Sequence, residues 1–349
     1  MRVLLDTTFA ARAPYSGTAV YLERLQAACS QLDGLEIVPA CNKRRGAPAG
    51  GGLGSVRNLL ADRWWTGVEL PRLARELHAD VIHHPLPAKG AKGKGPAVPQ
   101  VVTVHDLAFE RLPQCFSAAF RIYAHRNHRA AAAAASAVIC VSETTAADVR
   151  ALWGVADGRI VVALHGAGQE PGRILGTMPR PAPEHFLYVG DDEPRKSLPT
   201  LLAAYRSYRE SAVDPWDLVL AGSCAASGQG VRIERQPGAE RLARLYAGAI
   251  ALVHPSLYEG FGLPALEAMS AGTPVIAARS PGLSEVCGAA ACYADPGDSG
   301  SLAARMRQVV TSEPLRRQLT QRGLARASQF SWASCARAHL ETYSLALGR

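Results

Sequence analysis

The chain reads as an α/β protein with two parallel sheets, each covered by helices on both faces. Three observations predict this. Short apolar, β-branched runs alternate with longer helical stretches along nearly the whole sequence, the pattern of successive βαβ units. The alternation comes in two sets, parted by a Gly- and Pro-rich linker over 167–184. At 349 residues the chain is long for one domain and comfortable for two. The expected domains are 1–166 and 185–330, with a last helix in 331–349.

In the first set, strands are expected at 3–5, 35–38, 81–83, 100–104, 138–141 and 160–163, and helices at 18–31, 69–78, 116–135 and 144–153. The region 41–67 is poorly determined; its Trp64-Trp65 pair either meets a ligand or membrane surface or is buried against the first sheet. The glycine run at 50–54 lacks the strand-to-helix context of a dinucleotide fingerprint. In the second set, strands are expected at 186–189, 218–220, 251–254, 274–278 and 290–293. A final helix, 332–347, follows a Phe-Ser-Trp break.

The most informative segment is YEGFGLPALEAMSAGTPVI, 258–276. Pro264 suits a helix's first turn, and Gly272 stops the helix, giving 264–271. Glu259 therefore lies in the loop before the helix and Glu267 within it. Gly260 and Gly262 let the backbone approach a ligand closely. The free N–H groups around Gly262 and Leu263 favour an anion at the helix start. Phosphate at the helix start and hydroxyls at the two carboxylates describe a nucleotide sugar. A second segment, FLYVGDDEPRKSLPTLLAAY at 186–205, reads as a buried strand, a turn at Gly190, and Arg195-Lys196 just before a helix over 199–208. Such a cation pair can neutralise a diphosphate and stabilise it as a leaving group.

Together these segments resemble the GT-B glycosyltransferases of family 4, the glycosyl transferases group 1, which are retaining enzymes using nucleotide-diphosphate sugars. The resemblance implies two Rossmann-like domains facing across a cleft, with the last helix crossing back onto the N-terminal, acceptor-binding domain. In the E-x7-E motif, Glu259 would contact the donor sugar and Glu267 the ribose hydroxyls. Arg195 and Lys196 would hold the diphosphate, with Gly190, Gly260, Phe261, Gly262 and Leu263 lining the donor site. No cofactor is required. The acidic turn Asp191-Asp192-Glu193 departs from the pattern beside a diphosphate; its side chains are expected in solvent, the alternative being a divalent cation bridging to phosphate.

Three N-terminal features would face the donor. Gly17 sits in a loop where family members often carry two glycines; here the second is Ala19. Gly17 is either a donor contact or simply a helix-start glycine. His105 and Asp106 end a β-branched strand, VVTVHDLAF. His titrates near neutrality, and in similar enzymes this His contacts the transferred sugar, with Asp106 beside it. Ser142 reads as a helix N-cap. His83, His84 and His165 lack zinc-site spacing and read as structural or cleft-edge residues. Glu285, in PGLSEVC, either orients the helix or nucleotide or makes a structural ion pair.

Composition narrows the rest. Hydrophobic residues make up 48%, enough for two cores, yet no apolar run reaches the ~18–20 residues of a spanning helix. The opening MRVLLDTTF is strand-like and lacks a signal peptide's features, and eight scattered cysteines suit a reducing cytosol. A cytoplasmic protein is expected, with peripheral contact at the inner face of the plasma membrane as an option. The net charge is +8, with basic clusters at 43–45 and 89–95. It suits phosphate-bearing ligands or an anionic membrane face; no nucleic-acid recognition motif accompanies it. The expected activity is transfer of a hexose-type sugar from a UDP- or GDP-linked donor to an acceptor hydroxyl. The alternatives are a glycosidase, which needs no diphosphate cradle, a sugar-nucleotide epimerase or phosphorylase, or a non-catalytic nucleotide-sugar binder.

Overall fold

The structure, a computed structural model, describes the chain except residues 47–51, 89–97, 169–170, 172–173, 175 and 177–180. The basic run 89–95 and part of the glycine run thus lie outside the described residues, as does much of the linker. The rest forms two compact units: Met1–His165 with Trp332–Arg349, and Gly166–Ser331.

In the first unit, strands β1 (Arg2–Asp6), β2 (Glu36–Ala40), β3 (Val81–His84), β4 (Gln100–Val104), β5 (Ala137–Cys140) and β6 (Ile160–Val162) pair in the order β2-β1-β3-β4-β5-β6. All these pairings are parallel. The inner strands β3, β4 and β5 are buried along nearly their whole length because helices cover both faces of a parallel sheet, and β4 and β5 are correspondingly apolar. The second unit holds β7 (His185–Val189), β8 (Asp217–Ala221), β9 (Val231–Glu234), β10 (Ala249–His254), β11 (Val275–Ala278) and β12 (Ala291–Ala294), ordered β12-β11-β10-β7-β8-β9 and again parallel. These are two Rossmann-like units. Strand β9, VRIE, was not expected from sequence: it is a short edge strand with two charged residues, so it lacks a buried strand's apolar signal.

The poorly determined region around residue 60 is helical. The helix Gly52–Trp64 runs through a π-helical turn, Trp65–Glu69, directly into Leu70–Glu76. The two tryptophans part company there. Trp65 is buried and donates its indole N–H to Asp6 Oδ2 at 3.0 Å, whereas Trp64 is 50% exposed.

The terminal helix, Trp332–Ala346, packs within the first unit against β4, β5 and the Gly17–Cys29 helix. A buried hydrogen-bond chain fixes it, and its direction follows from the ends. The Cys335 carbonyl can only accept, so His339 Nδ1 donates to it at 2.7 Å. His339 Nε2 then accepts from the Tyr21 hydroxyl at 2.7 Å. Tyr21 in turn accepts from Thr103 at 3.2 Å, and Thr103 accepts from His83 Nε2 at 2.8 Å. That leaves His83 Nδ1 to accept from Tyr343 at 2.9 Å. Every member is satisfied only while both imidazoles are neutral. Burial pushes both down, His339 to about 4.

Candidate functional site

In the second unit, the strand order reverses around β7: its neighbours are β8 on one side and β10 on the other. Such a switch point opens a crevice at the carboxyl ends of the strands. Arg195 follows β7, and Glu259 follows β10. Arg195 Nη1 lies 2.9 Å from Glu259 Oε2, and the Leu257 N–H donates to the Arg195 carbonyl at 2.9 Å. The two expected motifs therefore meet within one unit.

Glu259 is held from three sides. Its Oε1 accepts from Ser256 Oγ at 2.8 Å and pairs with His254 Nε2 at 3.2 Å, while Arg195 takes the other oxygen. Burial alone would raise this carboxyl. Arg195, His254 and Lys196 outweigh that and hold it well below the usual carboxylate range, so it stays ionised. His254 and Ser256 were not singled out from sequence. His254 ends β10, where a lone His after a strand carries no distinguishing signal.

Glu193 does not simply point to solvent, as the acidic turn was expected to: it pairs with Arg195 Nε at 2.9 Å. Asp191 likewise is engaged, accepting the Ser223 N–H at 2.9 Å. Within the turn, Glu193 thus offsets the nearly buried guanidinium, whose side chain is only 14% exposed. Among the described residues, no cluster of three or more His, Cys, Asp and Glu side chains is arranged to hold a metal ion.

Lys196 makes no ion pair among the described residues, and it is half-buried. Its ammonium lies 2.9 Å from where a Cβ on Gly190 would stand. Gly190 has φ +149, so it answers both to backbone conformation and to the lysine's approach. The helix Leu263–Ser270 begins at Gly262, φ +104, with no side chain capping it. A Cβ at Gly262 would stand 2.6 Å from Leu283 Cδ2, and one at Gly282 would overlap the Glu259 carbonyl oxygen. The Pro281–Cys287 helix thus packs directly on the Glu259 loop.

Other expected residues take different positions. Glu267 is buried and accepts the Tyr246 hydroxyl at 2.7 Å, so one carboxylate oxygen serves the interior. Phe261 is 5% exposed and packs edge-on against Phe330, centroids 5.8 Å apart, so its ring is core. Gly260 is buried beside Gly282. In the Pro281–Cys287 helix, the Glu285 carbonyl accepts from Arg326 Nη2 at 2.7 Å.

Gly17, His105 and Asp106 belong to the first unit. Gly17 opens its helix behind the Ser16 N-cap. Asp106 Oδ1 accepts the Ala108 N–H at 2.9 Å and so opens the next helical turn. His105 is not the near-neutral acid or base its residue type suggests. Its Nε2 donates to the Pro85 carbonyl at 2.9 Å, and its ring stands edge-on to Tyr21. Burial takes it down to about 4, against a smaller upward effect of the Pro85 carbonyl, so it is neutral at pH 7. Ser142 caps the following helix by accepting the Thr145 N–H at 3.0 Å. His83, His84 and His165 are buried, as structural residues would be.

Comparison with known proteins places this geometry. Residues 179–326 match the family model "Glycosyl transferases group 1", and residues 15–167 match "Glycosyltransferase Family 4". The chain is 30% identical over 271 residues to O-antigen chain mannosyltransferase B of Escherichia coli, covering 70% of each chain. Its fold is similar to sucrose-phosphate synthase from Thermosynechococcus elongatus, with TM-score 0.77 at 20% identity over 98% of both chains. It is also similar to WaaG, a glycosyltransferase involved in lipopolysaccharide biosynthesis (TM-score 0.72, 16% identity, 100% of both chains). A third similar fold is Anabaena Alr3699/HepE, crystallised with UDP-glucose (TM-score 0.67, 18% identity, 99% of both chains). With two parallel-sheet units, the crevice after β7 and β10, and these matches, the chain belongs to the group 1 glycosyltransferases of GT-B fold.

Proposed function

We propose that the enzyme transfers a hexose-type sugar from a UDP- or GDP-linked donor to an acceptor hydroxyl, with retention of anomeric configuration. The product would be a glycan, polysaccharide or glycosylated metabolite. One observation carries this reading: Arg195, Lys196, Glu259 and the uncapped start of the Leu263–Ser270 helix converge where β7 and β10 end.

In this reading the donor diphosphate lies against Lys196 and the N–H groups at Gly262 and Leu263. Gly190 keeps the backbone clear for it. As the bond from the anomeric carbon to the phosphate oxygen breaks, negative charge grows on the leaving diphosphate. A positioned cation and backbone donors stabilise that charge without reorganising. Glu259, kept ionised and oriented by Arg195, His254 and Ser256, accepts hydrogen bonds from sugar hydroxyls and fixes the ring. The acceptor oxygen then bonds to the anomeric carbon from the face the phosphate leaves. Its proton passes to the departing phosphate oxygen. His105, neutral and fixed to Pro85, would act by orientation rather than as a titrating acid. Donor contacts at Gly17, Asp106 and Glu267 belong to the same proposal, and no cofactor enters it.

The relatives indicate where to begin. A mannosyltransferase is the 30%-identical relative, and UDP-glucose is the donor crystallised with a similar fold. The test is nucleoside diphosphate release from GDP-mannose and UDP-glucose, with and without hydroxyl-bearing acceptors. Acceptor-dependent release coupled to a glycosylated product supports transfer. Sugar interconversion without any acceptor would overturn it in favour of an epimerase.

A further inference from the structure

The second unit holds a cavity of about 640 Å³ at the amino ends of its strands, where His185 opens β7 and Gly248 precedes β10. Its walls also come from β9 and from the helices Ala239–Ala247, Leu263–Ser270 and Glu313–Ala327. Such a volume is ordinary for a small-molecule site. Arg195 and Glu259 follow the carboxyl ends of these same strands, and no residue placed at the donor site lines the cavity. It is a separate place.

Part of the lining is cationic. Arg241 and Arg244 lie three positions apart on the Ala239–Ala247 helix, and Arg232 joins them from β9. Each meets one acid from outside the lining: Arg241 meets Glu234, Arg244 meets Glu240, and Arg232 Nε lies 3.5 Å from Asp217. Exposed pairs of this kind are weak. Each guanidinium has five N–H donors and commits one nitrogen to its carboxylate, so most of its donors remain for an anion. Glu184 is the only acid in the described lining.

Another part of the lining consists of acceptors. Ser270 Oγ donates to the Glu267 carbonyl at 2.8 Å, and Thr320 Oγ donates to the Gly272 carbonyl at 3.0 Å. Both hydroxyl oxygens are left with lone pairs, which only a donor can use. They stand where the Leu263–Ser270 helix ends, at the negative end of its dipole. His185 Nε2 donates to the Leu245 carbonyl at 3.1 Å, so its Nδ1 also carries a lone pair. That nitrogen is buried and has no hydrogen-bond partner among the described residues, a rare condition that here borders a cavity. Leu245 and Leu324 add apolar surface.

We propose that this cavity binds a phosphorylated sugar, its phosphate on Arg232, Arg241 and Arg244 and its hydroxyls donating to Ser270 and Thr320. A bare anion leaves the hydroxyl oxygens without donors, and an uncharged sugar leaves the guanidinium groups without an anion. Only a ligand with both kinds of group satisfies the whole lining. Lys196 and Glu259 lie at the other ends of the strands, so the molecule bound here is not the sugar being transferred.

The experiment is calorimetric titration of the full chain with glucose 6-phosphate, mannose 6-phosphate, the two free hexoses and inorganic phosphate. At least one hexose phosphate should bind about tenfold more tightly than its free hexose and than inorganic phosphate. It should bind equally well with UDP or GDP present at saturation. Arg241→Gln and Arg244→Gln should each weaken it about tenfold. Thr320→Val should weaken it about fivefold and leave inorganic phosphate unaffected. Thermal midpoints check that the variants fold, and their affinity for UDP and GDP should be unchanged, so failure here leaves the donor reading standing. Absence of binding by both hexose phosphates overturns the proposal, as do folded arginine variants that bind like wild type. Binding no tighter than that of inorganic phosphate means an adventitious ion only. Displacement by UDP or GDP would overturn it by placing the sugar phosphate in the donor crevice.

Discussion

Arg195 and Glu259, 64 positions apart in sequence, form a 2.9 Å ion pair across the carboxyl ends of β7 and β10. Glu193 takes a second edge of the same guanidinium. Arg195 is thereby paired directly with Glu259, while its neighbour Lys196 acts on that carboxylate only through space and makes no ion pair among the described residues. The two cations consequently have separable roles, and substitutions should separate them.

Lys196→Ala should lower turnover by about a hundredfold, equivalent to about 2–4 kcal/mol of transition-state stabilisation, with little change in thermal midpoint. Arg195→Ala should also lower turnover, but it should destabilise the fold as well, by about 3–5 kcal/mol, because it strips a nearly buried carboxylate of its partner. Steady-state kinetics and urea unfolding on both variants test this. Equal loss of stability in the two would refute the division of labour.

Gly282→Ala should damage the site from outside it. The added methyl overlaps the Glu259 carbonyl oxygen, so either the Glu259 loop or the Pro281–Cys287 helix must shift. A stability loss of about 1–3 kcal/mol and at least a tenfold fall in turnover are expected. A variant with wild-type kinetics would show that the loop tolerates displacement.

The Glu259 carboxyl, depressed in the folded protein, links the site to pH. A carboxyl held down on folding contributes stability that is present above its unfolded value, about 4.3, and is lost as pH falls toward the folded one. Glu259→Gln removes that linkage. The stability gap between wild type and Glu259→Gln should therefore narrow steadily below about pH 4, as read by urea midpoints across pH. A gap unchanged down to pH 2 would contradict the pairing.

The buried histidines act with the same sense at higher pH. His83, His105, His165 and His339 are all lowered by burial, so unfolding takes up protons once pH drops below about 6.5. Their contribution is fully present above that value and is lost down to about 4 for His105 and His339. Each adds up to about 1.4 kcal/mol per pH unit to the slope. His339→Gln should flatten the fall between those limits. An unchanged slope would mean that this imidazole already charges in the folded state.

How much of this was legible in the sequence depended on spacing. Glu259, Glu267 and the Arg195-Lys196 pair lie in short segments whose glycines and prolines announce turns and helix starts, so their local structure could be read residue by residue. What surrounds them could not. His254 and Ser256 hold Glu259, yet neither differs in sequence from an ordinary strand end. Glu193 reads as surface charge until the Arg195 side chain is placed beside it. His105 looked like a titrating group because nothing local reveals the Tyr21 ring and the Pro85 carbonyl that fix it. The chain from Tyr343 to Cys335 joins residues up to 318 positions apart, beyond any periodicity. Strand β9 was missed because its edge position tolerates polar residues, and the helix through Trp65 because a π-helical turn breaks the regular 3.6-residue period.

The central claim is that Lys196, Gly190 and the start of the Leu263–Ser270 helix form a cradle for a pyrophosphate. Calorimetric titration of the wild type and Lys196→Ala with a nucleoside diphosphate and the matching monophosphate tests it most directly, using the base of whichever sugar donor proves active. The wild type should bind the diphosphate at least tenfold more tightly, and Lys196→Ala should lose most of that preference. Equal affinity for the two nucleotides in the wild type, or a preference that survives Lys196→Ala intact, would contradict it.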